Sequence, residues 1–232
     1  MDNFSPIHER TMVAQLLALT SGSIDAYSFL THGNVFAGMQ TGNLILMGIN
    51  LAYGRFGLLI NYLVPILVFI IGATFTKYMS LKFTHYHNIS RQALVLSLGI
   101  VLLILVGIIG NQISLIFTSL LMSVTIALLF TEFDKIHDAQ LNAVMMTGNF
   151  KKLGTLFLEG MMTKQSKLLR RSFRVFRIIL SFFIGVIINA YLVKIFSFQA
   201  IFFSAMMLGG VLIIIAYDNH KLIKQFTGDI ND

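Results

Sequence analysis

Long runs of apolar residues alternate with short polar segments along the whole chain. Five runs approach the roughly 20 residues needed to cross the hydrocarbon core of a bilayer. They lie at 58–76, 93–110, 113–130, 178–193 and 200–216. A further stretch, 11–31, is mostly apolar but contains Asp25, and it predicts a helix that is retained rather than cleaved as a leader. The pattern predicts an all-α polytopic membrane protein.

The tripeptide Thr-Gly-Asn (T-G-N below) occurs twice, each time inside apolar sequence, at 41–43 and at 147–149. At the same offset of 106 residues, the segments 37–54 and 143–160 share seven identities without a gap. Four of those identities are Gly or Asn, residues that are often required by backbone geometry. Agreement of this length predicts a duplicated structural unit.

Composition and charge predict which loops of this membrane protein lie inside the cell and which lie outside. Of the 232 residues, 56% are hydrophobic and 12% are charged, about half the charged share of a soluble domain. The net charge of +7 reflects Lys and Arg, which concentrate in cytoplasmic loops, so it predicts topology rather than nucleic-acid binding. We expect the basic segments 77–91 and 151–177 inside the cell, and the weakly charged links 110–112 and 194–199 outside.

The loops assigned to the inside and the outside predict opposite orientations for the two T-G-N segments. Residues 11–31 run outward and 58–76 run inward, so the first T-G-N segment, 33–54, enters and leaves from the outer face. The acidic stretch 131–138 and the basic segment 151–177 both lie inside, so the second enters and leaves from the cytoplasm. Each repeat then has three transmembrane helices plus a re-entrant or short T-G-N helix, giving six spans. The alternative lets 35–53 cross fully and gives up to eight spans, although the second copy is short and charged for a span.

We therefore expect one transmembrane domain built from two inverted repeats, with both chain termini in the cytoplasm. Its parts are residues 1–232 for the whole domain, about 11–110 for repeat 1, about 113–217 for repeat 2, and 218–232 for a cytoplasmic tail. Outside the T-G-N match, Ile71-Gly72 aligns with Ile184-Gly185. Inverted repeats with Gly-containing interrupted segments at corresponding positions indicate a transport site near the bilayer midplane.

Each T-G-N stands where a helix is predicted to begin. Asn and Thr are good N-caps, and Gly permits a sharp turn from an extended approach over 33–40. Two helix starts that converge at the midplane would favour an anionic or polar solute. The alternative is that both tripeptides only cap and pack short helices. The candidate solute-binding residues on these helices are Thr41, Gly42, Asn43, Thr147, Gly148 and Asn149.

The first helix carries a polar face formed by Ser21, Asp25, Ser28 and His32, which are spaced by four, three and four residues. A carboxylate inside a span is costly unless it is paired, neutralised or in contact with water. Asp25 is therefore expected to couple solute or protons, or to orient the T-G-N loop through hydrogen bonds. The alternative is that it accepts backbone N–H bonds and never titrates. All four residues are candidate substrate-binding residues.

Several functional classes lack support in the sequence. There is no cysteine, which excludes disulfides, Cys-ligated metals and a thiol nucleophile. No phosphate-binding loop, nucleophile elbow or zinc-protease motif occurs, so we expect no enzymatic activity, cofactor or metal. The loop around His85 and His87 and the stretch 132–138 have no recognised metal spacing. Glu132 itself is expected near the cytoplasmic interface.

Partners are indicated only in general terms. The basic cluster Lys164–Arg177 is dense enough to bind anionic lipid headgroups, although topology alone would also explain it. Asn61 and Asn189 lie in or near apolar spans and either pack or face a cavity. No pattern defines the oligomeric state, and a homo-oligomer stays open.

The first repeat resembles a known family. The run Ser21-Gly22-Ser23-Ile24-Asp25-Ala26-Tyr27-Ser28-Phe29, then Asn34-Val35-Phe36, then Thr41-Gly42-Asn43 with Gly48, is similar to the YoaK-like family of bacterial transmembrane proteins, a domain of unknown function. That family usually has a Gly-x-Gln-Asn run in its second half, where this chain has 122–127, Met-Ser-Val-Thr-Ile-Ala, so no role of that pair carries over. The resemblance implies a bacterial inner-membrane protein and no particular substrate.

From the residues we expect a secondary transporter or channel-like permease for a small anionic or polar solute. Its site would lie at the midplane between the two T-G-N helix starts, and Asp25 suggests proton coupling. The alternative is a membrane protein that transports nothing and instead binds lipid or scaffolds a partner.

Overall fold

The computed structural model describes residues 11–82, 91–133 and 146–228, with side chains described as far as Asp218. Within these ranges the chain is helical and contains no strand. The helices are α1 Thr11–Thr31, α2 Gln40–Ala52, α3 Leu59–Lys82, α4 Arg91–Ile109, α5 Leu115–Glu132, α6 Met146–Met162, α7 Ser166–Phe196 and α8 Ile201–Gly228. The loop with His85 and His87 and most of the acidic stretch 131–138, from Asp134 onward, lie outside the described residues, as do residues 229–232.

The apolar runs correspond to helices, which confirms the all-α prediction. Their ends agree closely for α1, α4 and α5. In contrast, α7 begins at Ser166 rather than near 178, and α8 continues to Gly228, so most of the predicted tail 218–232 is helical. Lys and Arg are good helix formers, and a helix therefore continues past the point where its sequence stops being apolar.

Helix α1 lies inside the bundle and packs mainly against α7 and α8. More than half of its residues are buried, including the fully buried Leu17, Ile24 and Tyr27. Small residues allow this close packing, since a Cβ on Gly22 would overlap the carbonyl oxygen of Phe182 in α7. The polar face of α1 is thus placed in the interior, away from the outer surface of the bundle.

Four stretches of the described chain are long and apolar enough to cross a membrane. They are Phe56–Lys82, Arg91–Ile109, Leu115–Glu132 and Ser166–Asp218. The last contains α7 and most of α8, which meet at a 3-10 turn, Ser197–Ala200. Large apolar side chains stay exposed on these helices, Ile71 at 66% and Ile213 at 70% among them, as expected where lipid covers the surface.

Two residues with positive φ, Gly33 at 68° and Asn34 at 61°, turn the chain directly after α1. This turn corrects the expected extended approach over 33–40: the chain folds back onto α1 before α2 begins. Helix α2 then packs on α3, which a short 3-10 turn, Phe56–Leu58, joins to it. Helix α6 packs in the same way on α7, the long helix that follows it.

Candidate functional site

Asp25 holds the segment that leads into α2. Asp25 is 8% exposed, and its Oδ1 accepts the backbone N–H of Gly38 at 2.6 Å. A Cβ on Gly38 would lie 2.9 Å from the side chain of Ile126 in α5 and 3.2 Å from Asp25 Oδ2. Gly38 is therefore held between α1 and α5, where a larger residue requires its neighbours to move. This contact is consistent both with the expected role of Asp25 in orienting the T-G-N loop and with the alternative that Asp25 only accepts backbone N–H bonds.

Asn43 closes the same loop from its other end. Its Oδ1 accepts the N–H of Phe36 at 2.9 Å, and its Nδ2 donates to the carbonyl of Phe36 at 2.7 Å and to Oε1 of Gln40 at 2.9 Å. Asn43 is fully buried. One amide side chain thus binds both backbone groups of Phe36, as a neighbouring peptide unit would, and fixes the segment 36–43.

This geometry corrects the expected capping role of the first T-G-N. The N-cap of α2 is Met39, which makes no side-chain capping bond, while Thr41, Gly42 and Asn43 form the first turn of the helix. Asn43 does not cap α2 because its amide turns back to Phe36. Gly42 is closely packed: a Cβ there would lie 2.6 Å from the terminal methyl of Met39, which would have to move, and 3.0 Å from the Phe36 ring. Thr41 is exposed.

The other residues of the predicted α1 face have separate environments. Ser28 donates its hydroxyl to the carbonyl of Val35 at 2.8 Å, so it also binds the loop held by Asp25. His32 is 2% exposed, with Nδ1 2.6 Å from the Thr31 hydroxyl, and its Nε2 has no partner among the described residues. Ser21 is fully buried and its hydroxyl likewise finds no partner there.

The second T-G-N repeats the exposure pattern of the first. Thr147 is exposed and Asn149 is buried at 1%, just as Thr41 is exposed and Asn43 buried. The hydroxyl of Ser172 in α7 donates to the carbonyl of Leu153 at 3.0 Å and joins α6 to α7. Since α2 packs on α3 and α6 on α7, the two T-G-N helices form no packed pair among the described residues. Their convergence at the midplane stays a prediction.

Sequence reasoning missed a buried polar cluster between α1, α7 and α8. Asn189 donates to the hydroxyl of Ser23, and Ser23 is hydrogen-bonded to Ser204 at 2.7 Å. All three residues are fully buried. Asn189 was singled out as a polar residue in an apolar span, but Ser23 and Ser204 carry no comparable signal because a serine in a helix commonly bonds to its own backbone.

A second contact missed from sequence lies at the end of α5. The Arg91 side chain at the start of α4 pairs with Glu132, with Nε 2.8 Å from Oε2. Nη1 of Arg91 also donates to the hydroxyl of Ser80, in α3, at 2.9 Å. One guanidinium group therefore joins the ends of three helices, and the Glu132 side chain is only 1% exposed there.

Packed apolar helices with lipid-type exposed surfaces and small-residue contacts define a helical membrane protein. Residues 13–214 match the model of the family described as a protein of unknown function (DUF1275), and the chain belongs to that family. This agrees with the resemblance found in the first repeat. No curated protein and no solved structure matches the chain.

Proposed function

We propose that this protein is a small permease of the bacterial inner membrane, built from two inverted repeats, with its solute site centred on Asp25 and the first T-G-N. The observation that carries this proposal is a carboxylate inside an apolar bundle, held against the loop that starts a short helix. Intramembrane carboxylates of this kind mark ion and solute pathways. The proposal assigns no catalytic chemistry to the chain.

The packing of the helices supports two equivalent repeats. Exchanging α1–α4 with α5–α8 converts the α1–α7 pair into the α5–α3 pair, and the α1–α8 pair into the α5–α4 pair. The α2–α3 pair likewise becomes the α6–α7 pair. The α4–α8 and α1–α5 pairs are converted into themselves, as expected for helices beside a pseudo-twofold axis.

Two glycines at corresponding positions support the same arrangement. A Cβ on Gly185 of α7 would overlap the carbonyl oxygen of Leu19 in α1, and one on Gly72 of α3 would lie 3.0 Å from the Ala127 side chain in α5. The alignment of Ile71-Gly72 with Ile184-Gly185 thus pairs a close contact of α3 with α5 and a close contact of α7 with α1. Asp25 lies three residues beyond Gly22, so it is about 5 Å along α1 from such a crossing.

Helix lengths favour six spans over eight. Helix α2 has 13 residues, about 20 Å at 1.5 Å per residue, and does not reach the roughly 30 Å of a hydrocarbon core. The described part of α6 has 17 residues and carries Lys151, Lys152 and Glu159, which are costly inside a span. Helix α1 has 21 residues, which is long enough to cross the membrane. Its polar face lowers its hydropathy, so it is not among the four stretches named above. Helices α1, α3, α4, α5, α7 and α8 make up the proposed six.

The proposed orientation follows the basic residues. Helices α6 and α7 and the turn between them carry eight Lys and Arg between 151 and 177 with a single acid, Glu159, which favours the cytoplasm for that end. Both chain termini then lie in the cytoplasm. The first T-G-N opens to the outer face and the second to the inner face, so the two repeats are inverted.

The chemistry of the site favours a small anionic or polar solute. The exposed Thr41 hydroxyl and the first turn of α2 present donors, while the buried hydroxyl of Ser21 provides a donor and acceptor without a described partner. The Asp25 carboxylate would exclude a free anion unless it is protonated. This gives proton coupling a physical basis, because a proton on Asp25 would enter together with the anion.

A second function, lipid binding or scaffolding without transport, is favoured by the closed state of the first T-G-N loop. Both ends of that loop are satisfied by protein groups, Asn43 at Phe36 and Asp25 at Gly38. A permease must open these contacts during its cycle, whereas a scaffold keeps them permanently. The two functions therefore differ in whether the loop moves.

Flux into proteoliposomes tests the proposal. Vesicles that contain the protein and a pH-sensitive dye are exposed to chloride, formate, acetate and phosphate in turn. We expect one of these anions to enter together with protons, and Asp25→Asn and Asn43→Ala to abolish that entry. Glu159→Gln and Asn50→Ala are the matched controls and should transport normally. Equal flux from wild type and both site variants would refute the site, and flux no faster than in empty vesicles would favour the scaffold.

A further inference from the structure

The basic end of α7 extends beyond the membrane core. Helix α7 has 31 residues, about 46 Å, roughly 16 Å more than a hydrocarbon core. From its crossing with α1 at Gly185, the helix continues about 17 Å to Phe196, close to half of a core thickness. With this crossing at the midplane, the hydrocarbon ends near residue 175. The residues before it, including Lys167, Arg170 and Arg171, then lie at the level of the lipid headgroups.

Helix α6 lies beside this end of α7 and is amphipathic. One face packs on α7, where Gly160 lies against Leu169 and Ser172 bonds to Leu153. A second face is apolar and exposed, and its residues follow helical spacing: Phe150, Phe157, Leu158 and Met161. Its third face carries Lys151, Lys152, Thr155 and Glu159. A short helix with an exposed apolar face beside a cationic one is typical of a helix lying in the bilayer interface.

Two cations from the two helices are close together without an acid between them. The Ser172–Leu153 hydrogen bond joins the two helices at the residues that directly follow Arg171 and Lys152. Burial, and secondly the charge of Arg171, lower the pKa of Lys152. Glu159 is the single acidic residue of these two helices, and within the described residues it forms no ion pair with either cation. Such a pair is stabilised when an anion binds between its members.

We propose that Lys152 of α6 and Arg171 of α7 bind the phosphate of an anionic phospholipid headgroup, while the exposed apolar face of α6 lies on the acyl chains beside it. A lipid fits this surface better than a soluble anion does. The cationic groups meet the phosphate of the headgroup, and the exposed apolar groups beside them meet the acyl chains. This surface does not depend on the proposed transport function.

Native mass spectrometry of the full-length protein tests this proposal. The protein is released from micelles that contain phosphatidylglycerol and phosphatidylcholine in equal amounts, and the bound lipids are counted. We expect phosphatidylglycerol to be preferred, and the preference to fall about fivefold in Lys152→Gln or Arg171→Gln. Arg171→Lys should keep it. The matched control is Lys194→Gln, at the opposite end of the same helix, which should leave the preference unchanged.

Three results would overturn the proposal. They are equal binding of both lipids by wild type, the same loss in Lys194→Gln as in Arg171→Gln, and complete displacement of the lipid by inorganic phosphate, which would indicate a site for a free anion. Far-UV circular dichroism checks that each variant is folded. If Arg171→Gln fails to fold, Lys152→Gln decides the outcome, because Lys152 lies on a separate helix.

Discussion

Asn43→Ala should destabilise the protein far more than Asn50→Ala, the corresponding change at the second asparagine of α2. The substitution removes three hydrogen bonds, two of them to the backbone of Phe36. Hydrogen bonds between side chains in membrane proteins contribute about 0.6 to 2 kcal/mol each, and leaving a partly buried peptide group unpaired adds about 1 kcal/mol or more. We therefore expect the free energy of unfolding to fall by about 3 kcal/mol.

Asn50→Ala is the matched control for this change. Asn50 lies in the same helix and is also buried, but its amide donates only to the carbonyl of Leu46, four residues earlier in α2. Its loss should cost about 1 kcal/mol or less. Unfolding is measured by SDS titration in mixed micelles and followed by far-UV circular dichroism, since the chain has no Trp for fluorescence. Equal destabilisation by the two variants would refute the role given to Asn43 in closing the loop.

Two further predictions concern packing and charge. Gly185→Leu should destabilise the protein by about 3 kcal/mol or prevent its folding, because a side chain there meets the backbone of α1. Gly154→Ala, with open space around it, should stabilise the protein by about 0.5–1 kcal/mol. Wild-type stability in both variants would contradict the close α1–α7 crossing. Glu132→Gln should lower the free energy of unfolding by about 1–3 kcal/mol, because it leaves Arg91 without its carboxylate. Glu159→Gln should change that free energy little, because Glu159 is exposed. SDS titration measures these variants as well, and an equal effect of the two Glu→Gln changes would show that the ion pair adds nothing.

The helices of the bundle could be predicted because the bilayer demands long apolar runs, and these runs are visible in sequence. The repeated T-G-N also predicted two short helices: α2 begins at Gln40, one residue before its threonine, and Thr147 likewise lies in α6. The start of α7 was missed by about 12 residues, because Lys and Arg lower hydropathy without breaking a helix.

The site was predicted only in part. Asp25 was selected because a carboxylate in an apolar helix is rare, and it does hold the T-G-N loop. Its partner, the N–H of Gly38, has no sequence signal, since every residue except proline carries that group. Asn43 was selected as a cap but binds Phe36, because the turn at Gly33 and Asn34 brings that residue back to α2. Such contacts depend on how the chain turns, which periodicity does not specify.

The inverted orientation of the two repeats is the central claim, and cysteine labelling measures it directly. The natural chain has no cysteine, so each substitution provides the only thiol. Tyr53→Cys follows α2, Thr163→Cys follows α6, and Gln199→Cys lies between α7 and α8; all three positions are exposed. We predict that a membrane-impermeant maleimide added to intact cells labels positions 53 and 199, and labels 163 only after the cells are permeabilised. Labelling of 53 and 163 from the same side would contradict the inverted repeats.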